Sequence, residues 1–298
     1  MEILELNGKK YRFVKNFKHN PQLRAGFNKL TQATYGFDLE YSYANGYWGD
    51  NYIPYSLLRD NEIVSNVSIN LMEFLIGNEK KKGLQIGTVM TAASHRHLGL
   101  NRFLMEQVLK EWKHKCDFMY LFANDTVLEF YPKFNFDRVE QYQCAKELNL
   151  AAVSSSARKL VTTDPLDKKI LEKSLEHSVP IAKISMLNNP FLIMFYCMSY
   201  MQQSIYYIEE LQTVAIADIK GETLILHDVF SNKPVDLNNV IQLIADNACK
   251  RVELGFTPLD ETGYDLSLLK PDDILFVLND HVEFFKNKKW MFPVLSHA

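Results

Sequence analysis

Apolar residues recur at Leu100, Leu104, Val108 and Trp112, with Phe103 and Leu109 widening the stripe, so the spacing predicts an amphipathic helix over 100–113. Before it, residues 84–91 read as a strand, broken from the helix by the small residues Ala92-Ala93-Ser94. The same reading applied along the first half predicts a strand at 11–17 and a helix over 21–35 that Gly36 ends. Strands at 55–59 and 63–76 turn at Asp60-Asn61, and 84–91 returns after a turn at 77–83. A buried strand at 118–122 follows, then a short helix capped by Asn124 or Asp125 and a strand at 136–148. A polar stretch at 151–163, with Ser154-Ser155-Ser156, then shifts the composition. Beyond it come helices at 165–177, 190–203 and 235–248, strands at 181–187, 251–256, 273–278 and 291–295, and a hairpin of 206–219 with 222–230 about Lys220-Gly221. The second order is like the first, so the expectation is an α/β chain with mixed sheets in two related domains, 1–150 and 164–298, joined by a linker at 151–163.

Composition narrows the function classes. The 298 residues, 47% hydrophobic and 12% aromatic, supply core for two domains. A net charge of −3 argues against a nucleic-acid binder, and Lys80-Lys81-Lys82 reads as a solvated hairpin tip. Cys116, Cys144, Cys197 and Cys249 are far apart and form no metal-type pair, which fits reduced thiols in a cytoplasmic setting and no metal site. The N-terminus lacks the apolar core of a signal peptide, and the run 191–201 is too short for a bilayer, so it is expected as a buried helix rather than a membrane contact.

The junction at 89–101 carries the first chemistry. The opening N–H groups of a helix have no intrahelical partner and hold roughly +0.5 of an elementary charge, so an anion is favoured there. Gly99, without a Cβ, lets a ligand approach the main chain. Arg96-His97-Leu98-Gly99-Leu100-Asn101 resembles the coenzyme-binding motif Arg/Gln-x-x-Gly-x-Gly/Ala of the GNAT acetyltransferases. Asn124 to Phe136 resembles that family's second signature, Asn-x-x-Ala-x-x-Phe-Tyr-x-Lys-x-Gly-Phe, in the right order. Three positions depart: Asn101 for a small residue, Val127 for Ala, and Asn135 for Gly, the last mild because Asn tolerates positive φ.

The resemblance covers the first half of the chain and implies a GNAT domain there, with acetyl-CoA as co-substrate and a primary amine of a small cationic molecule or peptide as acceptor. The second half, which offers no Arg-x-x-Gly cradle, is expected as a degenerate GNAT-like domain, the alternative being a sterol-carrier-like domain. By family position, the strand edge at Val89, Met90 and Thr91 receives the pantetheine arm, Val89 and Thr91 through main-chain groups. The backbone from His97 through Leu98, Gly99 and Leu100 to Asn101 holds the pyrophosphate, flanked by Arg96. Tyr131 matches the tyrosine that protonates the departing thiolate, and Asn124 is an N-cap, a contact to the coenzyme arm, or both. His95 and His97 are expected as solvent-exposed neighbours of the phosphates.

No carboxylate in the first half presents itself as a base, except Glu73 if it faces the cleft. Some tandem-domain members put their terminal carboxylate in the active site, which makes Ala298, with His297, the candidate. The aromatic stretch 35–55, with Asp38, Glu40 and Asp50, reads as an acceptor wall for a cation or as a packed lid. A non-catalytic acyl-CoA sensor and a longer-acyl transferase are the competing readings. Aminoglycoside, polyamine, amino acid and protein N-terminus all stay open as acceptors, as does self-association.

Overall fold

Pro21, with its φ already helical, opens the first helix behind Asn20, whose side chain accepts from Leu23 N at 3.0 Å, and Gly36 closes it at φ 80°. The computed structural model describes residues 2–149, 156–270 and 272–298. In chain order its elements are β1 (Glu2–Leu6), β2 (Lys9–Lys15), α1 (Pro21–Tyr35), α2 (Glu40–Ala44), β3 (Tyr52–Arg59), β4 (Glu62–Ile76), β5 (Glu79–Thr91), α3 (Leu100–Trp112), β6 (Phe118–Asn124) and β7 (Phe136–Arg138). There follow β8 (Tyr142–Glu147), β9 (Arg158–Lys159), α4 (Pro165–Glu176), β10 (Ile184–Leu187), α5 (Pro190–Met198), β11 (Ile205–Ile208), β12 (Thr213–Lys220) and β13 (Thr223–Phe230). The chain ends with α6 (Leu237–Ile244), β14 (Arg251–Leu254), β15 (Asp265–Leu268), β16 (Asp273–Leu278) and short 3-10 turns. No helix among the described residues is long and apolar enough to cross a membrane.

Two mixed sheets result, one of nine strands in the order β1-β2-β3-β4-β5-β6-β16-β7 with β10 added beside β4, the other of seven in the order β15-β8-β14-β13-β12-β11-β9. The expected division between 1–150 and 164–298 is crossed in both directions. β8 lies in the second sheet between β14 and β15, and β16 returns to the first between β6 and β7. Burial accounts for the return: Phe276 and Leu278 enter one hydrophobic cluster while Leu275 and Val277 enter another. A strand apolar on both faces needs a central slot, which β6 and β7 provide. The single strand expected at 136–148 therefore breaks into β7 and β8 as the chain changes sheets. Part of the expected linker, 151–155, lies outside the described residues; beyond it Arg158 and Lys159 pair with β11.

Three smaller expectations also change. The lysine run forms part of β5 rather than a hairpin tip, because Gly77 at φ 60° makes the turn earlier, and Lys81 pairs with Glu79 at 2.6 Å. Residues 291–295 are not a strand: Pro293 has no N–H for a ladder, and a 3-10 turn forms at Val294–Ser296. Phe191 on α5 and Tyr200 beyond it are 37% and 61% exposed, so the run 191–201 is buried on one face alone.

The sheets share one device. β5 and β6 run parallel from Gly83–Phe118 to Ile86–Leu121 and pair no further, and β13 and β14 run parallel from Thr223–Arg251 to Leu226–Leu254. Just past each parallel stretch the register with the antiparallel neighbour shifts, the extra residue lying in β5 between Gly87 and Met90 and in β13 at His227. A bulge bends its strand, so each parallel pair opens into a V. In the second V, Val294 N donates to Gly255 O at 2.9 Å, and the C-terminal segment fills the opening.

Asp228, at the second bulge, accepts from Val229 N at 2.8 Å, and burial pushes its carboxyl up to about 7. The folded form then holds a proton that the unfolded form, with its ordinary value of 3.8, releases, so this contribution to stability is present below pH 4 and is lost as pH rises through 7. Asp228→Asn, which retains the acceptor oxygen, is expected to raise Tm by roughly 5 °C at pH 8 and to leave it unchanged at pH 4. Equal shifts in melts at the two pH values would exclude a titration effect.

Candidate active site

The first V is open. Beyond Ile86 and Leu121 the ends of β5 and β6 diverge around a cavity of about 780 Å³, lined along its length by Thr88, Val89, Phe122, Asn124 and Tyr131. Thr88 stands at φ 48°, costly for a β-branched residue, and is held by buried partners: Asn66 Nδ2 donates to Thr88 O at 2.9 Å, and Tyr52 Oη lies 2.6 Å from Thr88 Oγ1. Ser56 donates to Asn66 Oδ1 at 2.7 Å, so the polar network that fixes the bulge is satisfied inside the sheet.

Past β5 the chain turns through His97 at φ 62° and Gly99 at φ 70° into α3, and Phe103 N makes the bond onto Gly99 O at 3.1 Å. The N–H groups ahead of Phe103 thus face outward from a tight turn, a nest of the type that binds anions. A Cβ built on Gly99 meets nothing within 4 Å, so the approach is open. Arg96 and His97 are exposed here, and Arg96 Nε donates to Thr91 O at 3.4 Å.

The expected site residues separate into three groups. Val89, Asn101, Asn124, Tyr131 and Ala298 line the cavity. Thr91, Arg96, His97, Leu98 and Gly99 lie in the turn from β5 into α3 and are not among the lining residues, while Leu100 and Met90 are buried in the core. Val89 O accepts from the Tyr35 hydroxyl at 2.8 Å, so a pantetheine amide reaching that carbonyl displaces Tyr35. Asn124 caps the turn at Asp125–Val127, accepting from Thr126 N at 3.1 Å. Asn101 Oδ1 accepts from Ser65 Oγ at 2.6 Å, turning the residue that departs from the motif onto β4.

Tyr131 begins a 3-10 turn with Pro132, and Asn135 closes it at φ 63°, the conformation that glycine would otherwise supply. The ring packs against Phe130 and Phe276 with centroids 5.2 and 5.9 Å away, and burial pushes the phenol up to about 12, so it stays protonated at neutral pH.

The last residues enter from the other side. Ala298 N donates to Gln85 Oε1 at 2.9 Å, and Gln85 Nε2 donates to Ala298 O at 3.1 Å. A Cβ on Gly87 would meet Ala298 O at 2.5 Å, so a glycine is required beside it. The Tyr196 hydroxyl donates to His297 O, and the His297 ring stacks on Phe122 with centroids 3.5 Å apart. Burial holds the His297 imidazole down at about 3, which keeps it neutral. Glu73 accepts from Asn188 Nδ2 at 3.0 Å and does not line the cavity.

Several lining residues escape a linear reading: Gln85, Tyr196 and Asp273. Asp273 comes from β16, opposite Asn124, and burial beside Asp272 raises its carboxyl above the usual range.

Residues 23–139 match the family model of the acetyltransferase (GNAT) domain. Over those residues the chain has the sequence pattern of a GNAT domain. Solved structures extend the likeness across the exchanged strands. A conserved protein of Enterococcus faecalis described as a probable N-acyltransferase aligns with a TM-score of 0.60 at 12% identity, covering 90% of this chain and 72% of that one. Eis1 of Mycobacterium abscessus aligns with a TM-score of 0.56 at 10% identity over 91% and 74% of the two chains. A GCN5-related N-acetyltransferase of Kribbella flavida aligns at 0.54 and 12% identity over 91% and 72%. At these identities the likeness is one of fold, and it spans both GNAT-like sheets. No curated protein matches the sequence.

Proposed function

We propose that this GNAT chain transfers an acetyl group from acetyl-CoA to a primary amine of a small cationic molecule or peptide. The observation that carries the reading is the V between β5 and β6, opening directly in front of the anion-binding turn at the head of α3. A strand edge beside a helix N-terminus matches a ligand with an amide-bearing arm and a pyrophosphate. Val89 and Thr91 would bond the arm through the main chain, with Met90 between them. The N–H groups from His97 to Asn101 would hold the phosphates beside Arg96, and Asn124 would border the arm on the β6 side.

The residues then have defined tasks. An amine with a reference pKa near 10.4 is neutral in about one molecule in a few thousand at pH 7, so supplying the neutral form costs roughly 4–5 kcal/mol. In a chain that ends at Ala298, its carboxylate is the base that takes this proton, positioned by Gln85. The amine nitrogen forms a bond to the thioester carbon, the carbon–sulfur bond breaks and Tyr131 gives its phenolic proton to the sulfur, while the nitrogen releases a second proton to solvent as the amide forms and solvent restores the phenol. His297, held neutral, packs the terminus against Phe122 and carries no proton at working pH.

The test is coenzyme binding and thiol release in parallel. Acetyl-CoA should bind, and a panel of amines should release free thiol. Gly99→Glu, which puts a charged side chain at φ 70° against the phosphates, should raise the Kd for coenzyme A roughly 10- to 30-fold. Unaltered affinity in that variant removes the cradle, and binding without turnover on any amine replaces the enzyme with a sensor.

A further inference from the structure

The wall that faces the end of the coenzyme groove is apolar, although the stretch that builds it is rich in acids. A second cavity, of about 70 Å³, lies between residues 37–52 and the first turns of α5, and shares Phe37, Thr88 and Ala298 with the groove. The acids are spent elsewhere. Glu40 pairs with Arg24 at 2.8 Å, Asp50 with Lys18 at 2.6 Å, and Asp38 accepts from Glu40 N at 2.9 Å; none of them lines this cavity.

Most of the polar groups that do line it have partners within the fold. Asn51 Nδ2 donates to Asn70 Oδ1 at 3.0 Å and lies 3.2 Å from Asn189 Oδ1, and Trp48 Nε1 donates to Tyr52 O at 3.3 Å. The Tyr52 hydroxyl is taken by Thr88, and that of Tyr47 by Glu172. What the cavity presents to a ligand is ring faces, with Ala298 at its inner end. Its outer rim is aromatic as well: Phe37 lies 5.7 Å from Phe195 and 6.3 Å from Tyr200, and Phe191 is 37% exposed. An exposed apolar rim over an apolar cavity is a route for an apolar molecule from solvent.

We infer that the acceptor is a primary amine carried on a compact apolar body, with a single positive charge. This rests on the acetyl-transfer reading above and narrows its substrate class. One ammonium has aromatic faces to meet and, in a chain that ends at Ala298, its carboxylate. A second ammonium, or a ring of hydroxyls, would be desolvated against groups that already have partners. Polyamines and aminoglycosides are therefore poor substrates.

The experiment measures acetyl-CoA-dependent thiol release with 3-methylbutylamine, 2-phenylethylamine, spermidine and kanamycin, and calorimetric binding of N-(2-phenylethyl)acetamide. The apolar monoamines should exceed spermidine and kanamycin in kcat/KM by at least ~100-fold, and Phe191→Asp at the rim should raise their KM at least ~10-fold with kcat unchanged. Preference for spermidine or kanamycin overturns the inference and leaves acetyl transfer intact. Turnover that rises several-fold with hexanoyl-CoA and loses that gain in Phe191→Asp also overturns it, because the cavity then holds the acyl chain. Absent turnover with amide binding that Phe191→Asp weakens ends the transfer reading while the apolar site stands. Absence of both turnover and amide binding overturns the inference.

Discussion

Tyr131→Phe is expected to lower turnover about 100-fold while leaving the affinity for acetyl-CoA unchanged. The substitution keeps the ring, so the contacts with Phe130 and Phe276 survive and the fold loses little. What it removes is a phenol whose proton burial retains, the pKa being held near 12, at the wall of the groove where the thiolate departs. A general acid contributes typically 10² to 10⁴, and the lower end applies here because a thiolate leaves more readily than an alkoxide. The decisive measurement is a single-turnover rate at saturating acetyl-CoA with an amine substrate, together with calorimetry on coenzyme A. An unchanged rate in the chemical step rejects Tyr131 as the acid, and weakened coenzyme binding reassigns it to the arm.

The helices α1 and α3 and the turn between β5 and α3 were legible because their determinants are local. Pro21, Asn20 and Gly36 bracket α1, and the break at Ala92-Ala93-Ser94 before an apolar stripe marks α3; these signals act within a few residues of the structure they specify. The exchange of β8 and β16 was not legible, because a two-residue period identifies a strand and its faces without identifying its neighbours. The apolar run 291–295 likewise matched a strand, but Pro293 removes a ladder donor. Charge was the most misleading signal. Asp38, Glu40 and Asp50 beside eight aromatic residues read as a wall for a cation or as a packed lid, and Lys18 and Arg24, just before and within α1, draw two of the three acids away. A sequence shows that a carboxylate is near an aromatic residue in the chain, and long-range pairing decides which of them faces the ligand. For the same reason Gln85, Tyr196 and Asp273 carried no signal, their roles being set by β16, α5 and the returning C-terminal segment.

Gly87→Ala is the substitution that separates the returning segment from the rest of the site, and it is expected to reduce turnover by ~100-fold or more with coenzyme affinity preserved. Gly87 does not have a left-handed φ, so alanine fits the backbone and the strand is not strained. The new methyl, however, would stand 2.5 Å from Ala298 O, inside van der Waals contact, and the atom it meets is main chain with no rotamer to change. Ala298 must move, which breaks the two bonds that Gln85 makes with it, and a displacement of about 1 Å at a reacting group is enough to cost two orders of magnitude. Appending two residues after Ala298 should have the same effect by a different route, because the carboxylate is then replaced by an amide. If the carboxylate is the base, both variants lose turnover, and both regain part of it as pH approaches the pKa of the amine, where the neutral form no longer depends on the protein. Loss without that recovery would mean that Ala298 shapes the acceptor cavity without taking a proton, and retention of full turnover in both variants would remove the segment from the chemistry altogether.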